Sequence, residues 1–251
     1  PKPSSAASDV YKRQRREQRP PGMALIVQIS SDHAAGCDGV SALAPQAVLL
    51  AGVNNLPAIK KLESGLSSVP WGISGGSLTE DGVNGYKGVG CDVLAFGLED
   101  TPVSVINSDE LARVLCLNPS ADERQLRAIN PLPVDAVLID VGGQKGSWTL
   151  EDLTNITVIS SRVNKYILVS VSEAPGATDL EVLRDAGVHG LVLDVGAVSG
   201  DSLSQLKADL QNMPRPQPGR KSKNAAVLPS SVFSADRATA PAEPDEDEDD
   251  E

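Results

Sequence analysis

The sequence predicts an α/β chain folded as a (βα)8 barrel of the TIM type, and three observations predict it. Short apolar runs recur about every 23 residues, a polar turn follows each run, and a helix-start signal follows most turns. The runs are continuous rather than alternating in polarity, as buried parallel strands are. Eight strand-helix units of this kind can close into a barrel. The eight runs are Ala24–Ser30, Ala47–Gly52, Pro70–Gly75, Asp92–Leu98, Arg113–Asn118, Ala136–Val141, Tyr166–Ser172 and Gly190–Gly196.

The segments between the runs carry helix-start signals and helical spacing of apolar residues. In a capping box, a Ser or Thr side chain accepts from a backbone N–H three residues later, and an acidic or amide side chain reciprocates. Helical spacing follows, as at Leu56, Ile59, Leu62 and Leu66. The predicted boxes are Ser77 with Glu80, Ser120 with Glu123, Thr178 with Glu181, Ser202 with Gln205 and, more weakly, Thr149 with Asp152.

One connection is poorly marked and leaves the fold with an alternative. Thr101 to Ala112 contains Pro102, Val103 and Val105, so it reads either as a helix or as an extra strand. The alternative fold is an open, doubly wound parallel sheet with fewer strands. Pairing of the last strand with the first distinguishes the closed barrel from the open sheet.

The two ends of the chain differ in composition from the barrel segment, which we predict over residues 23–213. Residues 1–22 lack apolar periodicity, and their stretch SSAASDVYKRQ resembles translated adapter sequence, so we expect a disordered or artefactual segment. Residues 214–251 are rich in Pro, Ser and Ala and end in EPDEDEDDE. This composition is typical of a disordered, solvated tail with an acidic end.

Charge and cysteine content narrow the classes of function. The net charge is −12, which disfavours nucleic acid as a partner because binding of its phosphates requires cationic side chains. Cys37, Cys91 and Cys116 have no metal-site spacing, so we expect inert thiols and a cytoplasmic protein. No apolar run approaches the roughly 20 residues that span a bilayer, so we expect no membrane partner. The sequence indicates no particular cofactor or oligomeric state.

Candidate site residues follow the strands, because ligands of such folds bind at the carboxyl ends of the strands. The most suggestive loop is GGQKGS, from Gly142 to Ser147, which lies between a strand and a helix. Glycines let backbone N–H groups approach an anion, and Lys145 adds a positive charge; a flexible exposed turn is the alternative. The predicted catalytic residues are Asp140, Lys145 and Asp194, and the predicted ligand-binding residues are Ser74, Gly75, Gly76, Asn118, Gly142 and Gly143.

The acidic residues that follow the strands raise the question of a metal site. Hard divalent cations prefer oxygen ligands, and a His can join them for zinc or manganese. Each carboxylate is equally well placed to stabilise the start of a helix, so we predict no metal site. His189 lies in a helix-to-strand turn at the opposite end of the predicted barrel, and we predict a structural role for it. The residues considered for a metal are Asp32, Glu99, Asp140, Glu173 and Asp194, with His33 nearby.

The segment LEVLRDAGVHGLVLDVG, residues 180–196, resembles the last helix and strand of phosphate-binding (βα)8 barrels. That group includes ribulose-phosphate-binding and aldolase-type enzymes, and the whole chain is also similar to bacterial proteins of this architecture. The resemblance implies that glycines in the loops after the seventh and eighth strands hold a phosphate. The corresponding loops here are SEAPGA and DVGAVSG, with Gly176, Gly196 and Gly200.

Two hypotheses of function remain open from the sequence. The first is a barrel that binds a small anionic or phosphorylated metabolite and acts as a lyase or isomerase. The second is a barrel without catalysis that serves as a binding or interaction module through its acidic surface and tail.

Overall fold

The strands of the computed structural model form one closed barrel in which every neighbouring pair is parallel. The order is β1 to β8 in sequence, and the last strand pairs with the first, with Ile26 opposite Val192. The closed barrel is therefore confirmed over the open sheet. The strands are β1 Ala24–Ser30, β2 Ala47–Ala51, β3 Trp71–Ser74, β4 Val93–Phe96, β5 Ala112–Leu117, β6 Ala136–Asp140, β7 Tyr166–Val171 and β8 Gly190–Asp194.

Helices connect the strands along the outside of the barrel. Helical positions also occur between β1 and β2, at Val40 and Leu43, and between β2 and β3, at Leu56, Pro57, Ile59 and Leu66. The helices with defined bounds are α1 Glu80–Gly88, α2 Val103–Ile106, α3 Glu123–Ile129, α4 Leu150–Arg162, α5 Ala177–Asp185 and α6 Gly200–Asn212.

The structure describes residues 21–30, 40, 43–52, 56–57, 59, 66, 69–75, 78–99, 101–106, 110–141, 148–196 and 198–214. All of them belong to one compact unit, Pro1–Arg215. Of the two predicted terminal segments, residues 1–20 and 215–251 lie outside the described residues.

Strand residues alternate between two cores. Leu25, Val27 and Ile29 of β1 face outward and belong to the core cluster that also contains buried helix residues, such as Leu206 of α6. Ile26, between them, packs inside the barrel. The same alternation holds around the sheet, so each strand is buried on both faces and its sequence is apolar at successive positions. The inner core consists of Leu49, Ala95, Val114, Ala136, Leu138, Leu168 and Val192, with Ile26, Val93 and Cys116 packed against them.

Two strand glycines have close neighbours where a side chain would begin. A Cβ on Gly72 of β3 would lie 2.2 Å from the carbonyl oxygen of Val93 on β4. A Cβ on Gly190 of β8 would lie 2.9 Å from Leu168 and 3.1 Å from Ala24. At Gly72 the obstructing atom belongs to the backbone, so this position needs glycine for space. At Gly190 a Cβ would require the end of the Leu168 side chain and Ala24 to shift.

The helix starts differ from the predicted capping boxes in detail. The Thr149 box is confirmed: Thr149 accepts from the Asp152 N–H, and Asp152 accepts from the Thr149 N–H at 2.9 Å. The N-caps of the other helices with defined caps are Thr79, Asp122, Gly176 and Ser199, so the predicted boxes beginning at Ser120, Thr178 and Ser202 were wrong. Ser77 lies outside the described residues. The predicted helix starts lie within a few residues of the observed ones. Several polar residues near each start were equally suitable as the N-cap.

The poorly marked connection between β4 and β5 contains a single helical turn, α2, over Val103–Ile106. Pro102 precedes this turn, and its carbonyl oxygen accepts from the Val105 N–H at 3.0 Å. The extra strand considered for this segment is absent from residues 101–106, because only Val105 is buried and no neighbouring strand pairs with it.

Candidate functional site

The inner face of the barrel changes from apolar to polar toward the carboxyl ends of the strands. The residues of the inner core point into the barrel, and every second residue along a strand points to the same face. This alternation identifies the inward residues that lie nearest the carboxyl end of each strand. We call this end of the barrel the mouth. The polar or thiol-bearing inward residues near it, within the strands, are Gln28, Ser30, Ser74, Cys116, Asp140, Ser170 and Asp194.

Asp194, the last residue of β8, is held by hydrogen bonds on both carboxylate oxygens. The Ser30 hydroxyl, at the end of β1, donates to Oδ2 at 2.6 Å, and the Gly196 N–H donates to Oδ1 at 2.8 Å. The Val195 N–H donates to the Gln28 carbonyl oxygen at 3.0 Å, which extends the β1 to β8 ladder past the carboxylate. Donors on both oxygens fix the orientation of the carboxylate.

Asp140, the last residue of β6, lines an open cavity of about 500 Å³ at the mouth. Its backbone pairs with Ser170 of β7. Only β7 separates it from β8, so Asp140 and Asp194 lie on strands about 10 Å apart at the usual strand spacing. The other residues that line the cavity are Cys116, Leu117, Asn118, Pro119 and Val141.

Cys116 lies on the inner face of β5, next to the charge of Asp140. Burial and, to a smaller extent, the nearby Asp140 carboxylate raise the pKa of the Cys116 thiol to about 11. The thiol is therefore protonated and uncharged at neutral pH. Burial likewise raises the pKa of Cys91 to about 11, but Cys91 packs in the outer core and donates to the Val93 carbonyl oxygen at 3.3 Å.

Asn118, just after β5, has its side-chain oxygen engaged by its own loop. The Ser120 N–H donates to Asn118 Oδ1 at 3.0 Å, and the Ser120 hydroxyl donates to the same oxygen at 2.7 Å. Two donors on one atom identify it as the amide oxygen and set the direction of the Nδ2 group. Asn118 therefore presents a fixed amide at the wall of the cavity.

A second, smaller cavity of about 60 Å³ lies beside the end of β7. Glu173 lines it, as does Asp179 in the first turn of α5. Of the loop glycines implied by the resemblance, Gly176 caps α5 without a side-chain hydrogen bond and Gly200 begins α6. The remaining lining residues are Trp148, Val171, Ser172, Ala174 and Pro175.

The predicted ligand-binding residues on β3 lie on the far side of the mouth from Asp140. Ser74 is half-buried between Ala51 of β2 and Ala95 of β4. Gly75 has φ of 76°, a left-handed conformation that favours glycine, and its N–H donates to the Ala95 carbonyl oxygen at 3.1 Å. The predicted residues Gly76, Gly142, Gly143 and Lys145 lie outside the described residues.

Sequence reasoning missed four inward-facing residues near the mouth: Gln28, Ser30, Cys116 and Ser170. It nominated residues at or after the carboxyl end of each run, whereas Gln28, Cys116 and Ser170 lie before the last residue of their strands. A signal was present for two of them, because Gln28 in ALIVQIS and Ser170 in YILVSVS interrupt apolar runs near their carboxyl ends. The alternation that assigns such residues to the inner face is hidden when both faces of a strand are buried.

The described residues were searched for a metal-binding group and for a helix that could span a membrane. Among them, no group of three or more His, Cys, Asp and Glu residues could hold a metal ion, while Asp32 and His33 lie outside the described part of the chain. His189 lies just before β8, at the opposite end from the mouth, and its Nδ1 accepts from the Ile167 N–H at 3.1 Å. No helix in the described ranges has the length and apolar character to cross a membrane.

Comparison with known proteins gives a match in structure but not in sequence. No protein-family model matches the chain, and no curated protein is significantly similar to it. Among solved structures, it is similar to tryptophan synthase alpha subunits from the hyperthermophile Pyrococcus furiosus. One mutant subunit has a TM-score of 0.58 at 14% identity, and another has 0.59 at 13%. In both, the match covers 77% of this chain and 98% of the other.

A further structure of the alpha subunit, from a calorimetric and X-ray study of its entropic stabilisation, has a TM-score of 0.56 at 13% identity. At these identities the likeness is one of fold, and together with the eight-stranded closed sheet it confirms the (βα)8 barrel.

Proposed function

We propose that this barrel binds a small anionic or phosphorylated metabolite at its mouth and acts on it as a lyase or isomerase. The observation that carries the proposal is the polar mouth itself, where an inner face that is apolar at mid-barrel ends in Asp140 and Asp194, and where Asp140 lines a cavity of about 500 Å³. A cavity of this size suits a small metabolite.

Asp140 and Asp194 are the proposed acid-base groups. Lyase and isomerase reactions remove a proton from one atom and return a proton to another, which positioned carboxylates can do. Asp194 is held in one orientation by Ser30 and Gly196, as a group that must meet a reacting atom needs to be. Asp140 faces the cavity directly.

The anionic part of the ligand is assigned to the glycine-containing loops. Gly142 and Gly143 would offer backbone N–H groups, and Lys145 would supply the positive charge. Ser74, Gly75, Gly76 and Asn118 would contact the rest of the ligand.

We also propose a bacterial, cytoplasmic protein, a location supported by the free thiols of Cys91 and Cys116.

A binding or interaction module without catalysis is the second candidate, and the charge of the mouth favours it. Among the described residues that directly follow or end the strands, the charged ones are Glu99, Asp140, Glu173 and Asp194, all acidic. Without a cation from Lys145, this surface would suit a basic partner rather than an anionic metabolite.

A thermal-shift screen of the full chain with phosphorylated and carboxylated metabolites tests the first function. A compound present at 100 times its dissociation constant stabilises the protein by about 2.7 kcal/mol, which raises the Tm by about 5 °C or more. We expect Lys145→Ala to remove the shift, and both Asp140→Asn and Lys207→Ala on α6 to keep it. The metabolite hypothesis fails if no compound raises the Tm, or if Lys145→Ala leaves the shift unchanged.

Proton exchange then separates the enzyme from the module. A bound metabolite incubated with the protein in deuterated water should gain deuterium at its reacting carbon, as followed by proton NMR. We expect Asp140→Asn to abolish this exchange. A ligand that binds without exchanging any carbon-bound proton would favour the module instead.

A further inference from the structure

We propose that four inward-facing side chains form the floor of the mouth and bind an uncharged hydroxyl group of the ligand. This inference rests on the function proposed above and deepens it, because it assigns the end of the metabolite that enters the barrel. Three features of the described residues support it: the level of the four side chains, their unused hydrogen-bonding capacity, and their lack of charge. This floor layer consists of Gln28 on β1, Ser74 on β3, Cys116 on β5 and Ser170 on β7.

The first feature is that the four side chains lie at one level around the barrel axis. TIM barrels have a stagger of about one residue per strand, so inward residues of alternate strands form layers of four. The registers of this barrel give the same layer. From Gln28 the pairing runs through Leu49 of β2 to Gly72 of β3, two residues before Ser74. Crossing two strands and stepping two residues toward the mouth in the same way then leads to Cys116, to Ser170 and back to Gln28.

An apolar layer closes the barrel directly beneath the floor layer. Its members are the inward residues of the even-numbered strands one level lower, and each of them is at most 5% exposed. The polar part of the mouth therefore ends at the floor layer, whose four members are all half-buried. The apolar layer consists of Leu49, Ala95, Leu138 and Val192.

The second feature is that the hydrogen-bonding capacity of the floor layer is unused. Within the described part of the chain, the four side chains make no hydrogen bond. Ser30 and Asp194, nearer the mouth, are bonded to each other instead. Polar side chains that are withdrawn from solvent usually have a hydrogen-bond partner. Four of them facing one another across the barrel axis leave donors and acceptors for a bound molecule.

The third feature is the lack of charge, which selects the ligand group. Burial and, to a smaller extent, Asp140 raise the pKa of Cys116 to about 11, so its thiol is neutral at pH 7 like the other three side chains. An anion would meet no cation in the floor layer and would be repelled by Asp194, whose donors Ser30 and Gly196 are uncharged. A cation would meet no carboxylate at this level, and any ion loses solvation on entry. A hydroxyl group is neutral, and it can accept from one floor side chain while it donates to another.

The floor layer also lies next to a proposed catalytic carboxylate. Gln28 pairs with Asp194 in the register between β1 and β8. Paired residues lie on neighbouring strands about 4.8 Å apart. A ligand whose hydroxyl group contacts Gln28 therefore has its next carbon atoms at the level of Asp194, and its anionic part remains nearer the loops.

A titration of the 15N-labelled full chain followed by NMR tests the inference. The probes are 1,2-propanediol and lactate, which share a hydroxylated three-carbon skeleton and differ in carrying a neutral hydroxymethyl group or a carboxylate. The signal is the side-chain N–H pair of Gln28, assigned by its disappearance in Gln28→Leu. We expect 1,2-propanediol to shift this pair in a saturable way, with a dissociation constant at least about fivefold lower than that of lactate.

Variants separate recognition of the ligand from stability of the barrel. Gln28→Leu should weaken 1,2-propanediol binding about fivefold to tenfold, as followed at the backbone amides of Ser74 and Ser170. Because no described residue bonds to the Gln28 amide, this variant should have a Tm no lower than that of the wild type. Ser170→Ala should keep the Gln28 signal and weaken binding about threefold. Gln211→Leu, at an exposed position of α6, is the matched control and should bind the diol as the wild type does.

The wild-type titration can overturn the inference without any variant. It does so if 1,2-propanediol leaves the Gln28 pair unshifted, or if lactate binds equally well. Binding of the diol that is unchanged in Gln28→Leu would overturn it too.

The outcome is independent of the metabolite screen. A response of Gln28 to the diol, with no stabilising phosphorylated or carboxylated compound, would contradict the proposed metabolite function alone. A stabilising metabolite with no response of Gln28 to the diol would contradict the floor assignment alone.

Discussion

The Ser30 hydroxyl donates to the Asp194 carboxylate at 2.6 Å, and this hydrogen bond joins the first strand of the barrel to the last. The two residues lie 164 positions apart in sequence. Both are half-buried at the inner face, where the strands that begin and end the barrel meet. The contact that orients a proposed catalytic carboxylate therefore lies at the seam where the sheet closes.

Removal of the Ser30 hydroxyl should destabilise the barrel. Ser30→Ala leaves one Asp194 oxygen without its donor, and hydrogen bonds to charged groups contribute about 1.5–3 kcal/mol when well buried. Because the pair is half-buried, we expect a loss of about 1–2 kcal/mol in the free energy of unfolding, measured by urea denaturation. Ser30→Thr should recover most of the loss, and Ser161→Ala on exposed α4 should change stability by less than about 0.5 kcal/mol. Equal stability of Ser30→Ala and wild type would contradict a contribution from this bond.

Gly72 tests the tight packing between β3 and β4. In Gly72→Ala the new methyl would lie 2.2 Å from a backbone oxygen of Val93, so the strands must separate. We expect a loss of about 3 kcal/mol or more in the free energy of unfolding. Gly88→Ala is the matched control at the end of α1, where a Cβ would have no neighbour within 4 Å. It should be neutral or stabilise slightly, and similar effects of the two substitutions would contradict the packing described.

The reactivity of Cys116 reports on the charge of Asp140. With a pKa of about 11, the thiol should react slowly with iodoacetamide at pH 8, and its rate should rise about tenfold per pH unit toward pH 11. Asp140→Asn removes one of the two causes of the raised pKa, so the thiolate fraction and the rate at pH 8 should increase. Burial, the larger cause, remains, so the pKa should stay above its ordinary value.

Mass spectrometry of the labelled protein measures these rates in a background in which Cys37 and Cys91 are replaced by Ser. Asp201→Asn, on α6 at the other side of the barrel, serves as the control and should leave the rate unchanged. A rate at pH 8 that is insensitive to Asp140→Asn would place that carboxylate too far away to affect the thiol.

The start of α4 tests the capping assignment. Thr149→Ala removes a confirmed capping box, and we expect it to cost about 1 kcal/mol in the free energy of unfolding. Thr178, which sequence reasoning assigned as a cap, lies inside α5 after the actual N-cap, Gly176. Thr178→Ala should therefore change stability little, and a larger loss there than at Thr149 would reverse the assignment.

The fold could be predicted from the sequence because repeated apolar runs and polar turns constrain it at many places at once. The strand from Tyr166 ends at Val171, one residue before the predicted end, and the strand from Ala136 ends at Asp140, again one residue before. Helix caps were less predictable, since Ser120 and Asp122 both fit the start of α3 and only tertiary context selects Asp122.

The site could be predicted only in outline. The rule that ligands bind at strand ends located Asp140, Asn118 and Asp194 at the mouth, but it could not indicate that Ser30 contacts Asp194 across the closure of the barrel. That contact depends on the register between β1 and β8, which no local pattern encodes. Whether Lys145 reaches the same cavity stays a prediction.

The most direct test of the central claim, that the mouth is the binding end of this barrel, is a backbone amide chemical-shift map. The spectrum of the full chain is recorded with and without the metabolite that gives the largest thermal shift. We predict that the changes cluster at Ser74 and Gly75, at Asn118, at Asp140 and Val141, and at Asp194 to Gly196. Changes that cluster instead around Tyr166 and His189, at the opposite end of the barrel, would contradict the claim.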